Sequence, residues 1–386
     1  MSKYSMKAML VIAVMMGLGL GLASCSKDDN AVINPETPDG GVPGDGGQAT
    51  LIGGHGKVIP LNELFSDAII ADGSTLTGTL DGEKQPYKIS IADGATVTLD
   101  NVTINGVHIM GDQQCLWAGL SCEGDATLIL ADSTVNTVKN FNRYYPCIHV
   151  PAGHTLTIQG YGSLVAVNNY FGAGIGGGFG INCGNIVIKS GTVTATGGGA
   201  AGIGSGFNAT CGDITIESGT VTATGGLSGA GIGCGYSATC GDIFIESGTV
   251  TATGGDNAAG IGGGENATYG DITIESGTVT ATGGSSGAGI GCGYSATCGD
   301  ITIIGGTVLA QGGYWAAGIG CGCGNKNSPS ICGNISINIS IDNVVYADFR
   351  VTAIKGRGES RPIGISDKVK CDNNLCGIII WGGHNT

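Results

Sequence analysis

Hydrophobic and polar residues alternate in three short segments that recur along the middle of the chain. In the copy from Gly212 to Cys240, these segments are Asp213-Ile-Thr-Ile-Glu217, Thr220-Val-Thr-Ala-Thr224 and Ala230-Gly-Ile-Gly233. A period of two places successive side chains on opposite faces of a strand. Each copy is therefore predicted to contain three short β-strands that turn isoleucine, valine and alanine toward a common interior. Glycine and serine between the segments are typical of tight bends.

The segments return with a nearly constant period. Successive Gly-Ile-Gly triplets are separated by 28, 29, 29, 29 and 29 positions, and their isoleucines are Ile175, Ile203, Ile232, Ile261, Ile290 and Ile319. A unit this short cannot bury a core of its own, so the copies must stack on one another. Parallel crossovers are normally right-handed. The predicted fold is an all-β, right-handed, single-stranded parallel β-helix (β-solenoid) with about 29 residues per coil.

The pattern divides the chain into five segments. They are a lipoprotein signal peptide (1–24), a lipidated N-terminus with a flexible tether (25–50), irregular N-terminal coils (51–170), the regular repeats (171–340) and a degenerate C-terminal coil with a cap (341–386). The irregular coils keep the alternation in fragments such as Ala126-Thr-Leu-Ile-Leu130. Atypical coils are expected at both ends, because the ends of a parallel stack expose unpaired strand edges.

The N-terminus has the three regions of a signal peptide in order. Lys3 and Lys7 precede an apolar run from Ala8 to Leu22, which leads into Leu22-Ala-Ser-Cys25. The run is too short for a spanning helix. Leu-Ala-Ser-Cys resembles the bacterial lipoprotein box, which implies that Cys25 becomes the lipidated first residue. Ser26-Lys-Asp-Asp29 resembles the acidic export tag of Bacteroidota surface lipoproteins. We therefore expect a lipid anchor in the outer membrane and a protein that faces the cell exterior.

Composition and charge exclude several classes of protein. Glycine supplies 76 of 386 residues, only 12% of the residues are charged, and the formal net charge is −14. A chain this acidic is not expected to bind nucleic acid. Collagen needs glycine at every third position, and the nonapeptide calcium repeat needs Gly-Gly-x-Gly-x-Asp; the sequence has neither pattern.

The first strand of each copy carries acidic residues at its outward positions. One column contains Asp213, Asp242, Asp271 and Asp300, and a second contains Glu217, Glu246 and Glu275. No lysine, arginine or histidine occurs between Ser190 and Asn325. Like charges one strand apart repel by about 1 kcal/mol per pair in water. Bound calcium, which prefers oxygen ligands, is one candidate to relieve the repulsion. The alternative is a solvated acidic face in which aspartate caps the turns.

The second strand places threonine at every outward position. The columns contain Thr220, Thr222, Thr224, Thr249, Thr251, Thr253, Thr278, Thr280 and Thr282. Such ladders resemble those of ice-binding proteins. Threonine is also favoured on exposed strands for its β-propensity alone.

The third strand suggests a candidate glycan surface. Gly231 and Gly233, with their copies, would leave the outward face bare. An aromatic column runs beside it through Phe179, Phe207, Tyr236 and Tyr294, interrupted by Glu265. A flat glycine floor with an aromatic edge would let a sugar ring approach the backbone and stack. The alternative is that the rings simply stack on one another.

The cysteines indicate disulfides, because 14 remain besides Cys25 and they recur in pairs. Cys234 with Cys240 and Cys292 with Cys298 are predicted to bond within a coil, since the copy between them loses both members, having Gly263 and Tyr269 instead. Cys183 and Cys211 lack such partners and could bridge adjacent coils. Cys371 is predicted to bond Cys376.

Other pairings stay open. Cys332 could pair with Cys321 or Cys323, or these three could supply thiolates to a metal. The connectivity of Cys115, Cys122 and Cys147 is undetermined.

The recurring Gly-Asp-Ile-Thr-Ile-x-x-Gly-Thr-Val-x-Ala-x-Gly-Gly, after a Gly-Ala-Gly-Ile-Gly-Gly-Gly178 start, resembles a group of bacterial cell-surface β-helix proteins over residues 85–335. Some are described as carbohydrate-binding domains that bind plant polysaccharide and calcium. The resemblance implies a non-catalytic surface lipoprotein that binds polysaccharide or host glycan. The alternative is a structural adhesin or spacer that contacts proteins or its own copies.

An enzyme similar to β-helix polysaccharide lyases is a further alternative. Such lyases use a basic residue as proton abstractor beside calcium, and the regular repeats have none. The candidates in the irregular coils are His108, Lys139, Arg143, His149 and His154. The sequence therefore favours a protein without catalytic residues.

Overall fold

A computed structural model describes residues 49–107, 115–325, 328–338, 350–354, 363–364 and 378–381. These residues form an all-β parallel solenoid whose turns are about 29 residues apart, as predicted. One short 3₁₀ turn, Leu61–Glu63, interrupts the strands. Within the described ranges, no helix is both long and apolar enough to cross a bilayer. The signal peptide, the lipidation residue Cys25, His108, and the pair Cys371 and Cys376 lie outside the described residues.

The first sheet stacks one strand from each coil. The Gly-Ile-Gly isoleucines are direct register partners from Ile175 through Ile319. The strands of this sheet are Thr50–Gly53, Ala68–Ala71, Ile89–Ile91, Leu120–Cys122, Ile148–His149, Ile175–Gly176, Ile203–Gly204, Ile232–Gly233, Ile261–Gly262, Ile290–Gly291, Ile319–Gly320 and Ile363–Gly364.

The second sheet takes two strands from each regular coil and so forms two rows. Thr75–Asp81 and Ala95–Asn105 are long enough to run through both rows. The first row also contains Val58–Pro60, Ala126–Leu130, Thr155–Gly160, Asn185–Ile188, Ile214–Ile216, Ile243–Ile245, Ile272–Ile274, Ile301–Ile303, Ile335–Asn338 and Ile378–Trp381. The second row contains Val135–Lys139, Ser163–Val167, Thr192–Thr196, Thr220–Thr224, Thr249–Thr253, Thr278–Thr282, Thr307–Gln311 and Arg350–Ile354.

A short third sheet was not predicted from the sequence. It consists of Thr210–Cys211, Thr239–Cys240, Thr268–Tyr269 and Thr297–Cys298, paired in parallel. Strands of two residues are too short to show an alternation, so only the stacking of the coils reveals them.

The core is a set of columns in which each side chain packs on its own copy. In the coil that starts at Gly212, the predicted inward residues Ile214, Ile216, Val221 and Ile232 are fully buried. Burying an isoleucine or valine side chain contributes roughly 1.5–3 kcal/mol. Because every coil repeats the same contribution, the stability of the solenoid is spread along its length.

Replacing Ile232 by alanine tests the column packing. Ile232 pairs in register with Ile203 and Ile261, so the substitution opens a cavity inside the stack. We expect it to lower the free energy of unfolding by about 2–5 kcal/mol in denaturant titrations. The exposed Thr222→Ala in the same coil is the control and should change it by less than about 0.5 kcal/mol. Equal effects of the two changes would contradict this account of the core.

Candidate functional site

Five aromatic rings form a continuous row along one corner of the solenoid. This aromatic strip consists of Tyr144, Phe171, Phe179, Phe207 and Tyr236, all of them half-buried. The centroids of Phe179 and Phe207 are 4.9 Å apart, and those of Phe207 and Tyr236 are 4.4 Å apart, with nearly parallel planes. Tyr144 and Phe171 meet Phe179 edge-on at 5.6 and 6.2 Å. The ring faces of Phe179, Phe207 and Tyr236 therefore cover each other, and all five residues keep part of their surface accessible.

The structure brings together three of the four predicted aromatic residues. Tyr294 is separated from Tyr236 by the coil of Glu265, whose carboxylate accepts hydrogen bonds of 2.9 Å from Ser228 and Asn257. Tyr144 and Phe171 were missed because they precede the regular period. No signal in the sequence places them beside Phe179, since the irregular coils vary in length.

The predicted glycine floor is wrong. Gly231 and Gly233 are buried. A Cβ on Gly231 would lie 2.7 Å from the amide nitrogen of Thr253 in the following coil. Gly233 has φ of 127°, a backbone conformation that side chains other than hydrogen rarely allow. These glycines let the backbone fill the interior, and they leave no bare face for a sugar ring.

Uncharged polar groups border the aromatic strip instead. In the four coils after Phe179, an asparagine or serine with φ between 47° and 56° directly follows the aromatic position or its equivalent. Two residues farther, the short sheet turns threonine outward. This polar border consists of Asn208, Ser237, Asn266, Ser295, Thr210, Thr239, Thr268 and Thr297. The strip and the border together form a linear surface of ring edges, amides and hydroxyls.

The aspartate column is a ladder of backbone caps. The carboxylate of Asp213 accepts a 2.9 Å hydrogen bond from the amide of Asp242, and Asp242 does the same for Asp271 at 2.8 Å. The series continues through Asp300 to the amide of Asn334, both at 2.7 Å. This arrangement matches the capping interpretation, because each carboxylate meets an amide that the turn would otherwise leave without a partner.

The two acidic columns do not converge on a common ion. Asp213 and Glu217 flank the same strand and are four residues apart, about 13 Å in an extended chain. Glu217 lies 3.7 Å from Lys189, just before the cation-free stretch. Among described residues, two groups place three or more potential ligands within 4.8 Å; they are Cys292–Cys298–Cys332 and Asp93–Asp125–His154. Neither includes the predicted columns, and calcium at those columns stays a prediction.

The threonine array is present as predicted. Thr222 pairs in register with Thr251, and Thr251 pairs with Thr280, with the columns on either side of them in the same register. The array lies on the second row of the second sheet, away from the polar border. Whether it binds ice is not tested by its geometry.

A family model described as "Beta helix repeat" matches six segments of the chain. They are residues 156–179, 186–207, 214–236, 245–265, 272–294 and 301–323. The chain is a beta-helix repeat protein. Five of the six segments end at the column positions Phe179, Phe207, Tyr236, Glu265 and Tyr294. No curated protein and no solved structure matches the chain.

The four candidate basic residues that the structure describes in this beta-helix repeat protein make separate contacts. Lys139 donates to Asn105 at 3.0 Å, and the Arg143 guanidinium lies 4.6 Å over the Tyr144 ring. The His149 ring is 3.0 Å from the carbonyl of Asn182, and His154 lies 3.5 Å from Asp125. Each therefore has its own local contact.

One predicted disulfide is present. Cys183 and Cys211 bond between adjacent coils, as their lack of partners within a coil suggested. The predicted bonds within coils are not formed. The Cys240 thiol donates to Ser205 in the preceding coil, and the Cys234 thiol donates to the carbonyl of Thr268 in the following coil.

The second pair within a coil is also not joined by a disulfide. Cys292 and Cys298 are thiols with their sulfurs 2.9 Å apart. The Cys292 thiol also donates to the carbonyl of Ile331 at 3.1 Å, which turns it toward the following coil. Burial would raise the pKa of Cys298, but the neighbouring Cys292 and Cys332 thiols lower it to about 5.

Tyr269 explains why its coil lacks both cysteines. Its backbone occupies the column position of Cys240 and Cys298. Its ring fills the space of the other sulfur, because a Cβ on Gly263 would lie 2.9 Å from the ring. One large side chain therefore replaces two small ones, which accounts for their joint absence.

Replacing Asp242 tests the ladder. In Asp242→Ala, the amide of Asp271 loses its acceptor, and we expect the free energy of unfolding to fall by about 1 kcal/mol. Asp242→Asn should stay within about 0.5 kcal/mol of the unmodified chain, because Asn185 already caps Asp213 in the same column at 2.9 Å. If the asparagine variant were the less stable and lost its response to a calcium chelator, the column would hold calcium instead.

Proposed function

We propose that this chain is a non-catalytic surface lipoprotein that binds polysaccharide or another glycan along the aromatic strip and polar border. The observation that carries the proposal is the continuous row of five partly exposed rings beside uncharged amides and hydroxyls. A solenoid that used its aromatic residues only as core would bury them, as it buries Phe141. Here each of the five keeps an accessible edge.

The chemistry of the surface suits a sugar polymer. Pyranose rings offer apolar C–H groups to aromatic side chains and hydroxyls to amides and threonines. The acidic residue that interrupts the aromatic column is Glu265, and its carboxylate is already hydrogen-bonded. The row advances by one coil at a time, so an extended polymer could contact several copies at once, and such contacts reinforce each other.

The anchoring part of the proposal is carried by the sequence. The Leu-Ala-Ser-Cys25 motif supports lipidation, and residues 26–50 support a tether between lipid and solenoid. The absence of catalysis is supported by the separate contacts of Lys139, Arg143, His149 and His154, which leave no shared proton acceptor among these four.

One observation favours the adhesin alternative. The first coils expose large apolar side chains, with Leu51 at 63%, Val58 at 61% and Phe65 at 88% accessibility. Exposed apolar patches are typical of protein contacts. An adhesin or spacer would use this end of the solenoid, and a glycan would not need it.

Removing hydroxyls from the polar border tests glycan binding. Thr239→Val with Thr268→Val keeps the shape and β-propensity of both residues and removes two hydrogen-bonding groups. We expect about tenfold weaker retention on a glycan array or in polysaccharide affinity gels. The matched control is Thr222→Val with Thr251→Val, which makes the same change in the same coils on the threonine array.

Equal retention by the two double variants would remove the polar border as the binding surface. Absence of retention for the unmodified chain across plant, bacterial and host glycans would remove the glycan proposal. Release of reducing ends or unsaturated products would instead identify an enzyme.

A further inference from the structure

Two successive coils bring four cysteines to the same place in the interior. Ile290 and Ile319 are register partners, which sets Cys292 over Cys321. Thr297 bridges Ile331 in parallel, which sets Cys298 over Cys332. The four cysteines therefore occupy the corners of a rectangle that spans two coils. We call them the cysteine quartet.

Three sulfurs of the quartet converge, and the fourth cysteine borders them. The Sγ atoms of Cys292, Cys298 and Cys332 all lie within 4.8 Å of one another. Cys321 lies above Cys292 in register, and its thiol donates to the carbonyl of Ser330 at 3.6 Å. None of the four side chains is more than 6% exposed. Of the two sequence alternatives, Cys321 is thus the neighbour of Cys332, while the Cys323 thiol donates to the carbonyl of Gly324.

A buried hydroxyl borders the quartet. Tyr269 is a direct register partner of Cys298 in the preceding coil and is only 4% exposed. Its Oη makes no hydrogen bond of acceptable length and angle. A buried hydroxyl without a partner costs about 1–3 kcal/mol, and a neighbouring cysteine sulfur would become a good acceptor for it once deprotonated.

The Cys234 and Cys240 pair shows that the quartet is not a general property of the repeat. The coil before this pair offers Ser205 and the disulfide-bonded Cys211, and the coil after it offers Gly263 and Tyr269. The pair therefore has no second pair of thiols to join. In the described coils, two stacked pairs of thiols occur at Cys292, Cys298, Cys321 and Cys332.

We propose that the cysteine quartet binds one thiophilic divalent metal ion of the zinc type. Four sulfur ligands in a closed, buried site are typical of structural zinc. Metal–sulfur bonds of about 2.3 Å place ligand sulfurs roughly 3.7 Å apart, within the spread of this cluster. On binding, each thiol releases its proton to solvent and its sulfur donates a lone pair to the metal. No oxidant or reductant takes part.

Tyr269 supplies the outer hydrogen bond in this proposal. Its hydroxyl donates to a ligating sulfur, which satisfies the buried donor and offsets part of the negative charge of four thiolates. The site would also fasten an irregular turn, because the register offset grows from 29 between Asp271 and Asp300 to 34 between Asp300 and Asn334. The ion would hold the two coils together across that insertion.

Metal content of the full chain tests the proposal directly. We expect about one zinc ion per chain by elemental analysis. Cobalt should replace it, with the intense thiolate-to-cobalt absorption of a four-sulfur site. Cys298→Ser and Cys332→Ser should each lose more than about tenfold in zinc affinity. Cys240→Ser, which removes an equally buried thiol from the isolated pair, should retain it.

Tyr269→Phe distinguishes a hydrogen bond from the Tyr269 hydroxyl to a ligating sulfur from simple packing of the ring. It should weaken zinc binding by about tenfold or more, whereas a purely structural phenol would leave affinity unchanged. Unchanged affinity would remove Tyr269 from the site. The proposal would be overturned if the chain contained no metal and the four cysteines of the quartet all reacted as free thiols. It would also be overturned if peptide mapping found Cys292 disulfide-bonded to Cys298. These readouts use the unmodified chain and do not depend on how the serine variants fold.

Discussion

Parallel stacking of each coil on the next, one strand spacing apart, is the constraint on which the rest of the molecule depends. It forces every residue to lie beside the equivalent residue of the next coil, so each residue type must pack favourably against its own kind. Isoleucine on isoleucine and valine on valine meet that condition in the interior through dispersion and burial. The repeated sequence is the direct consequence, since a coil with a different pattern would not fit the groove above it.

Charged and polar positions meet the same condition in other ways. An aspartate column appears unfavourable when considered as charges alone, yet each carboxylate of Asp213 and its copies accepts the amide of the next aspartate. Backbone hydrogen bonding and side-chain charge are thus satisfied together. The same stacking aligns Phe179, Phe207 and Tyr236 into a strip and four cysteines into a quartet. Stacking of the coils thus assembles residues that are far apart in sequence into rows and clusters of the same chemical type.

The proposed functions depend on where that repetition is broken. Glu265 ends the stacked part of the aromatic strip, and Tyr269 in the same coil separates the cysteine pair from the quartet. Upstream of this coil, uninterrupted rings and hydroxyls present a linear surface suited to a polymer. Downstream, sulfurs gather next to an insertion. This one exceptional coil therefore divides the regular repeats. The coils before it carry the proposed binding surface, and the coils after it carry the proposed metal site in their interior.

The sequence by itself determined the fold and the inward residues such as Ile214 and Ile232, because period and alternation depend only on local geometry and on stacking of identical units. It allowed the Cys183–Cys211 bridge without requiring it. Only the tertiary structure decided that Gly231 and Gly233 are buried, that Tyr144 and Phe171 join the strip, and that Cys298 faces Cys332 across an insertion. Those outcomes depend on which wall of the coil a backbone approaches and on the lengths of irregular turns. Neither quantity is encoded in the spacing of the repeats.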